Sequence, residues 1–244
     1  WKDECMDTAF LITGATGNLG RAVIKELSAR KVKLVLLARN SSNLKKLQAE
    51  NQNVIYYFSY DLEDTSHIET IFQSCSSQGI LLNGLIHCAG INESMPIQIN
   101  DTDSMDRMMR INLFSFVEMG KYFSRKKYTA ENSSIVAISS MAAVENPKGM
   151  CLYSASKAAL NSTVQTMAKE LMTRKTRVNA IMPGYLEQKM VNEKQFLTDE
   201  AVKKVQPLGL INCSDVAKLT AFLVSKDARY ITGALLPIGG GQII

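Results

Sequence analysis

No stretch of the chain approaches the ~18 consecutive apolar residues that a membrane-spanning helix requires, so no membrane protein is expected. No CxxC pair occurs among the five cysteines, which stand at positions 5, 75, 88, 151 and 213. An odd and scattered set argues against a disulfide framework and against a zinc site, and no metal is expected. Such thiols suit a reducing, cytoplasmic setting. The opening segment, WKDECMDTAF, carries acids where a signal peptide needs an apolar run, so none is expected there. With Trp1 at the start, an initiator Met is expected outside this numbering. The chain also lacks internal repeats, low-complexity tracts, Pro/Gly/Ser-rich linkers and any nucleic-acid-binding motif.

What is present suits one globular unit. With 244 residues, 46% hydrophobic and 21% charged, the chain is long enough to bury a core without staples. The formal charge of +5 comes in short clusters, Lys45-Lys46, Arg125-Lys126-Lys127 and Lys203-Lys204. Solvated helix faces are the plain reading; a basic face for an acidic partner or a phosphorylated cofactor is the alternative.

Apolar, β-branched runs alternate with amphipathic stretches. Strands are expected at 9–13, 33–37, 54–59, 84–87, 134–139, 177–181 and 234–238. Helices are expected near 18–29, 43–50, 65–75, 101–128, 153–173 and 214–224. Strand–helix alternation implies βαβ crossovers and an α/β, doubly wound, parallel seven-stranded sheet with helices on both faces. The fully apolar Leu34–Leu37 fits a strand covered on both sides. One domain, 1–244, is expected. Its irregular segment at about 184–212 is a candidate substrate loop, since ligands of such sheets bind beyond the carboxyl ends of the strands.

Three patterns carry chemistry. The first strand runs into Thr13-Gly14-Ala15-Thr16-Gly17-Asn18-Leu19-Gly20 and then a helix. Glycines allow a tight turn, and a helix amino-terminus offers N–H groups and a positive dipole end to a pyrophosphate; an ordinary βα turn is the alternative. The second strand ends in Ala38-Arg39, where an NAD site would carry an acid for the ribose 2′-OH. Arg39 could instead pair with a 2′-phosphate, which favours NADP(H) over NAD(H). Tyr153 and Lys157, four apart, share a helix face. A nearby cation would lower the phenol's pKa and make Tyr153 a tuned acid–base group. Ser140, at a strand end 13 residues earlier, could place its hydroxyl beside it.

With these patterns in hand, the chain closely resembles the single-domain short-chain dehydrogenase/reductases, Rossmann-fold enzymes that interconvert carbonyls and secondary alcohols. Further landmarks follow in order: Asp61-Leu62, Cys88-Ala89-Gly90, Asn112, Val178-Asn179, Pro183-Gly184, Pro207-Leu208-Gly209 and Ile231-Thr232-Gly233. The resemblance implies a catalytic set of Asn112, Ser140, Tyr153 and Lys157, with Asn112 holding a proton-relaying water. It implies a cofactor site of Gly14, Thr16, Gly17, Asn18, Leu19, Gly20, Arg39, Asp61, Leu62, Ala89, Gly90, Pro183, Gly184 and Leu186, together with Tyr153 and Lys157. By general pattern 3-oxoacyl-(acyl carrier protein) reductases are nearest, so a 3-oxoacyl-type ketone is the expected substrate, with acyl carrier protein a candidate partner that Arg174 could help meet. A homo-oligomer, dimer or tetramer, is implied too.

The departures are specific. Asn18 occupies the usual middle-glycine position, and Gly17 precedes it; this spacing resembles the sugar-nucleotide-modifying branch, a rival reading. A non-catalytic NADP(H)-binding sensor or scaffold is a second rival. His87 and Cys88 replace two asparagines, and His87 reads as a core histidine rather than a catalytic one. Gln188 stands where a threonine often meets the nicotinamide amide. Met141, Met150, Cys151, Leu152, Tyr185 and Met190 could line a pliable apolar pocket or be plain core.

Overall fold

Successive residues of the first strand, β1 (Ala9–Thr13), enter opposite cores: Ala9 and Leu11 one, Phe10 and Ile12 the other. A strand alternates sides every residue, so an all-apolar strand requires cover on both faces. The computed structural model, which describes residues 8–187 and 199–242, supplies that cover. The other strands are β2 (Lys33–Ala38), β3 (Val54–Ser59), β4 (Leu82–His87), β5 (Thr129–Ile138), β6 (Arg177–Pro183) and β7 (Leu235–Ile238). All neighbours run parallel in the order β3-β2-β1-β4-β5-β6-β7.

The helices are α1 (Asn18–Ser28), α2 (Ser41–Glu50), α3 (Ile68–Ser77), α4 (Thr102–Met109), α5 (Ser115–Phe123), α6 (Ala142–Glu145), α7 (Cys151–Glu170), α8 (Asp199–Val205) and α9 (Cys213–Val224). One face of the sheet is covered by α3, α5 and α7 through Phe72, Phe116, Leu160 and Val164; the other by α1, α2 and α9 through Val23, Leu27, Leu44 and Val216. Each such fully buried side chain contributes about 1.5–3 kcal/mol relative to exposure, which fixes the sheet as a rigid platform. Asn40, Asp101 and Asn212 cap α2, α4 and α9 through their side chains. α1 has no side-chain cap.

Strand order reverses between β1 and β4, opening a crevice above their carboxyl ends. Several elements differ from the sequence expectation: β5 begins at Thr129 rather than Ser134, and the short helix α6 falls where none is expected. The single helix expected over 101–128 is interrupted by a π-helical turn, Arg110–Phe114, and ends at Phe123. Helix α7 begins at Cys151, not Tyr153, and closes with a 3-10 turn, Leu171–Arg174. The segment after β6 contains a short helix, α8. Apolar periodicity reports neither a one-residue insertion in a helix nor a helix of two turns. Among the described residues no helix is long and apolar enough to cross a membrane, and no cluster of three or more His, Cys, Asp or Glu could hold a metal ion.

Candidate active site

The glycine turn is tightly built. Gly14 has φ +63°, and a Cβ there would lie 2.8 Å from the backbone N of Ala89. The turns after β1 and β4 therefore touch backbone to backbone. Thr13 Oγ1 ties them further by accepting the Ala89 N–H at 3.1 Å. A Cβ on Gly20 would lie 2.3 Å from Gly14 O, so only glycine lets α1 approach the turn this closely. Gly17 is the N-cap, with ordinary extended φ −73°. With no side chain to cap the helix, this glycine leaves the α1 amino-terminus open. Exposed Asn18 and half-buried Leu19 and Thr16 complete the turn. The first N–H groups of a helix lack acceptors within it, and this uncapped end presents them to the crevice.

Arg39, exposed at the end of β2, has Nη1 4.0 Å from Asp61 Oδ2 after β3. Ser59 Oγ donates to Arg39 O at 2.8 Å, joining the same two loops. Leu62 is a core side chain at 5% exposure, so only its backbone can meet a ligand. A pyrophosphate at the uncapped helix, an adenosine near Arg39 and Asp61, and a ring in the cleft beyond Gly90 would follow one continuous edge of the sheet. The residues present thus fit a dinucleotide.

That cleft, of about 150 Å³, is lined by Gly90, Ile91, Ser140, Tyr153, Lys157, Pro183, Gly184 and Leu186, with Cys88 beside them. A wider depression of about 480 Å³ between the end of α7 and Gly233 contains none of the acid–base set. Ser140 follows β5; its Oγ accepts the Ala142 N–H at 3.1 Å. Met141 N–H donates to Pro183 O at 2.9 Å, which anchors the Ser140 turn to the end of β6. Burial pushes the Tyr153 phenol above its ordinary pKa, and a hydrogen bond with Ser140 partly opposes this. Lys157 is buried; its Nζ lies 5.8 Å from the Tyr153 ring centre and donates to Ile138 O at 2.9 Å. Burial pulls its pKa down to about 8, with a small opposing contribution from Cys88. Lys157 therefore does not lower the phenol's pKa in this geometry: its ammonium is turned toward the Ile138 carbonyl, and burial raises the phenol.

Asn112 sits in the π-helical turn, fully buried. Its Oδ1 accepts Ile91 N–H at 2.8 Å, and its Nδ2 donates to Ile91 O at 3.0 Å and Ser156 Oγ at 2.9 Å. Ser156 Oγ in turn donates to Tyr153 O. The amide ties Ile91 to α7, and its Oδ1 keeps one acceptor site beyond the Ile91 N–H. A Cβ on Gly90 would lie 3.2 Å from Lys157 Nζ and 3.3 Å from Asn112 Oδ1, so these three groups converge. Sequence reasoning missed Ser156 and the bonding role of Thr13. The only hint of Ser156 was its place on the Tyr–Lys helix face.

His87 is a core residue, as expected. It contacts Thr13 Oγ1 at 3.1 Å and Phe116 at 5.3 Å between ring centres, and burial with the nearby Lys157 charge pulls its pKa to about 3. Burial pushes the Cys88 thiol up to about 12. Met141 is plain core at 1% exposure, whereas Met150 and Tyr185 are half-buried. Gln188 and Met190 lie outside the described residues. Arg174 is committed elsewhere: its guanidinium donates to Ser124 O, Thr129 Oγ1 and Thr129 O at 2.7, 2.8 and 3.0 Å. It is a clasp on β5, not a free cation for a carrier.

A family model described as enoyl-(acyl carrier protein) reductase matches residues 14–242. The chain belongs to the short-chain dehydrogenase/reductase family. Among its curated relatives, the 3-oxoacyl-[acyl-carrier-protein] reductase of Homo sapiens is 28% identical, with 97% of this chain and 98% of that protein covered. Carbonyl reductase family member 4 of Danio rerio is 31% identical over the same shares. Among solved family structures, an NAD+-bound xylitol dehydrogenase superposes with TM-score 0.85 at 26% identity, covering 96% of this chain and 98% of that one. A metagenomic blue fluorescent protein in complex with NADPH has the same fold, with TM-score 0.88 at 24% identity and 97% and 98% coverage. Both cofactors thus occur on this fold, and fold alone does not choose between them.

Proposed function

We propose that the chain is an NADP(H)-dependent reductase of a 3-oxoacyl-type ketone, with Tyr153 as proton donor. The observation that carries the reading is the convergence of Ser140, Tyr153 and Lys157 on one cleft at the end of the open helix turn. When bound, a reduced nicotinamide dinucleotide supplies hydride to the substrate carbonyl carbon. Gly14, Thr16, Gly17, Asn18, Leu19 and Gly20 would hold its pyrophosphate. Arg39, Asp61 and Leu62 would hold the adenosine side; Ala89, Gly90, Lys157, Pro183, Gly184 and Leu186 would hold the nicotinamide side.

The chain's own residues manage the oxygen. Ser140 Oγ orients the carbonyl, and the Tyr153 hydroxyl gives its proton to the developing alkoxide. A phenol held above its ordinary pKa stays protonated at neutral pH, which suits reduction. Asn112 and Ser156 fix the cleft wall. The names of the fully covered relatives, 3-oxoacyl-[acyl-carrier-protein] reductase and carbonyl reductase, support this substrate class. Because Arg174 is engaged, a carrier protein would need another basic contact.

Arg39 tests the cofactor choice. A charge-assisted contact is worth about 1.5–3 kcal/mol, so Arg39→Ala should weaken NADPH binding roughly 10- to 100-fold and leave NADH binding unchanged. Equal binding of both by the wild type would remove Arg39 from the site.

Lys157 gives a pH signature. Its ammonium is present below about 8 and is lost as pH rises through that value. kcat/KM, which reports the free protein, should fall above about pH 8, and Lys157→Met should abolish that limb. Stability moves the other way. Between about 8 and 10.5 the unfolded chain holds a proton that the folded one lacks, so stability rises with pH across that window.

A further inference from the structure

Gln206 lies in the turn after α8 and is fully buried. A buried polar side chain persists when its hydrogen bonds are met, and this one meets them in a directed way. Its Oε1 accepts the Tyr185 N–H at 2.9 Å, while its Nε2 donates to Tyr185 O at 3.0 Å and to Gly209 O. One amide thus pairs with both backbone groups of Tyr185, as a neighbouring strand would. The pairing continues with Ile211 N–H to Tyr185 O at 3.0 Å and Glu187 N–H to Ile211 O at 2.8 Å. Tyr185 stands between Gly184 and Leu186, which both line the cleft with Ser140 and Tyr153.

The fit is close on the other side as well. A Cβ on Gly184 would lie 2.3 Å from Gln206 Oε1, and one on Gly240 would lie 2.5 Å from Gln206 Cγ. The glutamine fills a slot between the ends of β6 and β7. Gly184 N–H donates to Ile238 O at 2.8 Å, so the slot's walls are themselves joined.

We propose that Gln206 is a positioning residue: its amide sets the path of Pro183–Leu186 and so the nicotinamide end of the cleft. This deepens the proposed function and rests on it. The side chain of Gln206 has its hydrogen-bond partners in Tyr185 and Gly209, and the glycine turn between β1 and α1, Arg39 after β2 and Asp61 after β3 make no hydrogen bond with it. Its loss should therefore separate the two ends of the dinucleotide.

The test uses Gln206→Met, which keeps volume but no donor or acceptor pair, and Gln206→Glu. Gln206→Met should bind the adenosine-half probe (2′,5′-ADP, or ADP-ribose if NADH is preferred) within about twofold of wild type. It should lose the fluorescence enhancement of bound reduced nicotinamide, and kcat should fall about a hundredfold, the effect of misplacing reactants by about 1 Å. A protonated carboxyl again offers one donor and one acceptor, so the activity of Gln206→Glu relative to wild type should climb as pH falls. Wild-type fluorescence and kcat in Gln206→Met well below its melting temperature, whatever that temperature, would overturn the proposal. Should Gln206→Met fail to fold, a Gln206→Glu ratio that is flat with pH would overturn it instead. A wild type that binds reduced nicotinamide yet reduces no ketone would refute the catalytic reading alone, and the fluorescence of the variants would still decide the role of Gln206.

Discussion

Tyr153→Phe is expected to lower kcat by about 10²–10⁴-fold, the usual range for a lost general acid, while NADPH affinity stays within about twofold. The substitution removes one oxygen and keeps the ring. That ring is half-buried on α7, and no side chain that shapes the cleft wall depends on the hydroxyl except Ser140. The wall is set by Asn112, Ile91 and Ser156, whose link to residue 153 is through its backbone carbonyl. Binding and chemistry should therefore separate cleanly. Steady-state kinetics beside a fluorescence titration would show it. Turnover equal to wild type would mean that the proton comes from elsewhere.

Gly14→Val should abolish dinucleotide binding and cost stability together. A β-branched residue at φ +63° is a backbone outlier, and a strain of this kind costs about 1–3 kcal/mol. The added Cβ must also displace Ala89 N from 2.8 Å. Relief can come only by parting the turns after β1 and β4, which opens the floor of the crevice and pulls on the Thr13–Ala89 hydrogen bond. Cofactor titration and thermal unfolding would both report the change. Normal NADPH binding by the variant would show that this turn is not the pyrophosphate site.

Much of this arrangement is legible in the residues. Strand period and apolar continuity place six of the seven strands within two positions, because a strand buried on both faces has little compositional freedom; the largely polar, partly exposed start of β5 at Thr129 is missed. Gly14, Gly20 and the Tyr153–Lys157 pair announce themselves through backbone sterics and helix spacing. Other features depend on contacts between distant segments. The π-helical turn at Asn112 leaves no periodic mark, yet it decides where that amide points. Gln206 looks like one polar residue in an irregular stretch until the ends of β6 and β7 close around it. The balance of charges is equally hidden. Spacing puts Lys157 near Tyr153, but only the fold shows the ammonium bonded to Ile138 O and the phenol governed by its burial.

Hydride transfer to a ketone in the Ser140–Tyr153–Lys157 cleft is the step that most needs direct observation. Its most direct test is oxidation of NADPH by the purified protein, followed by nicotinamide absorbance, with β-ketoacyl thioesters, ketosteroids and keto-sugars supplied in turn. NADPH should be consumed with the β-ketoacyl thioesters, stoichiometrically with the hydroxyacyl product, and not by Tyr153→Phe. Activity confined to sugars, or tight NADPH binding with no turnover of any carbonyl, would contradict it.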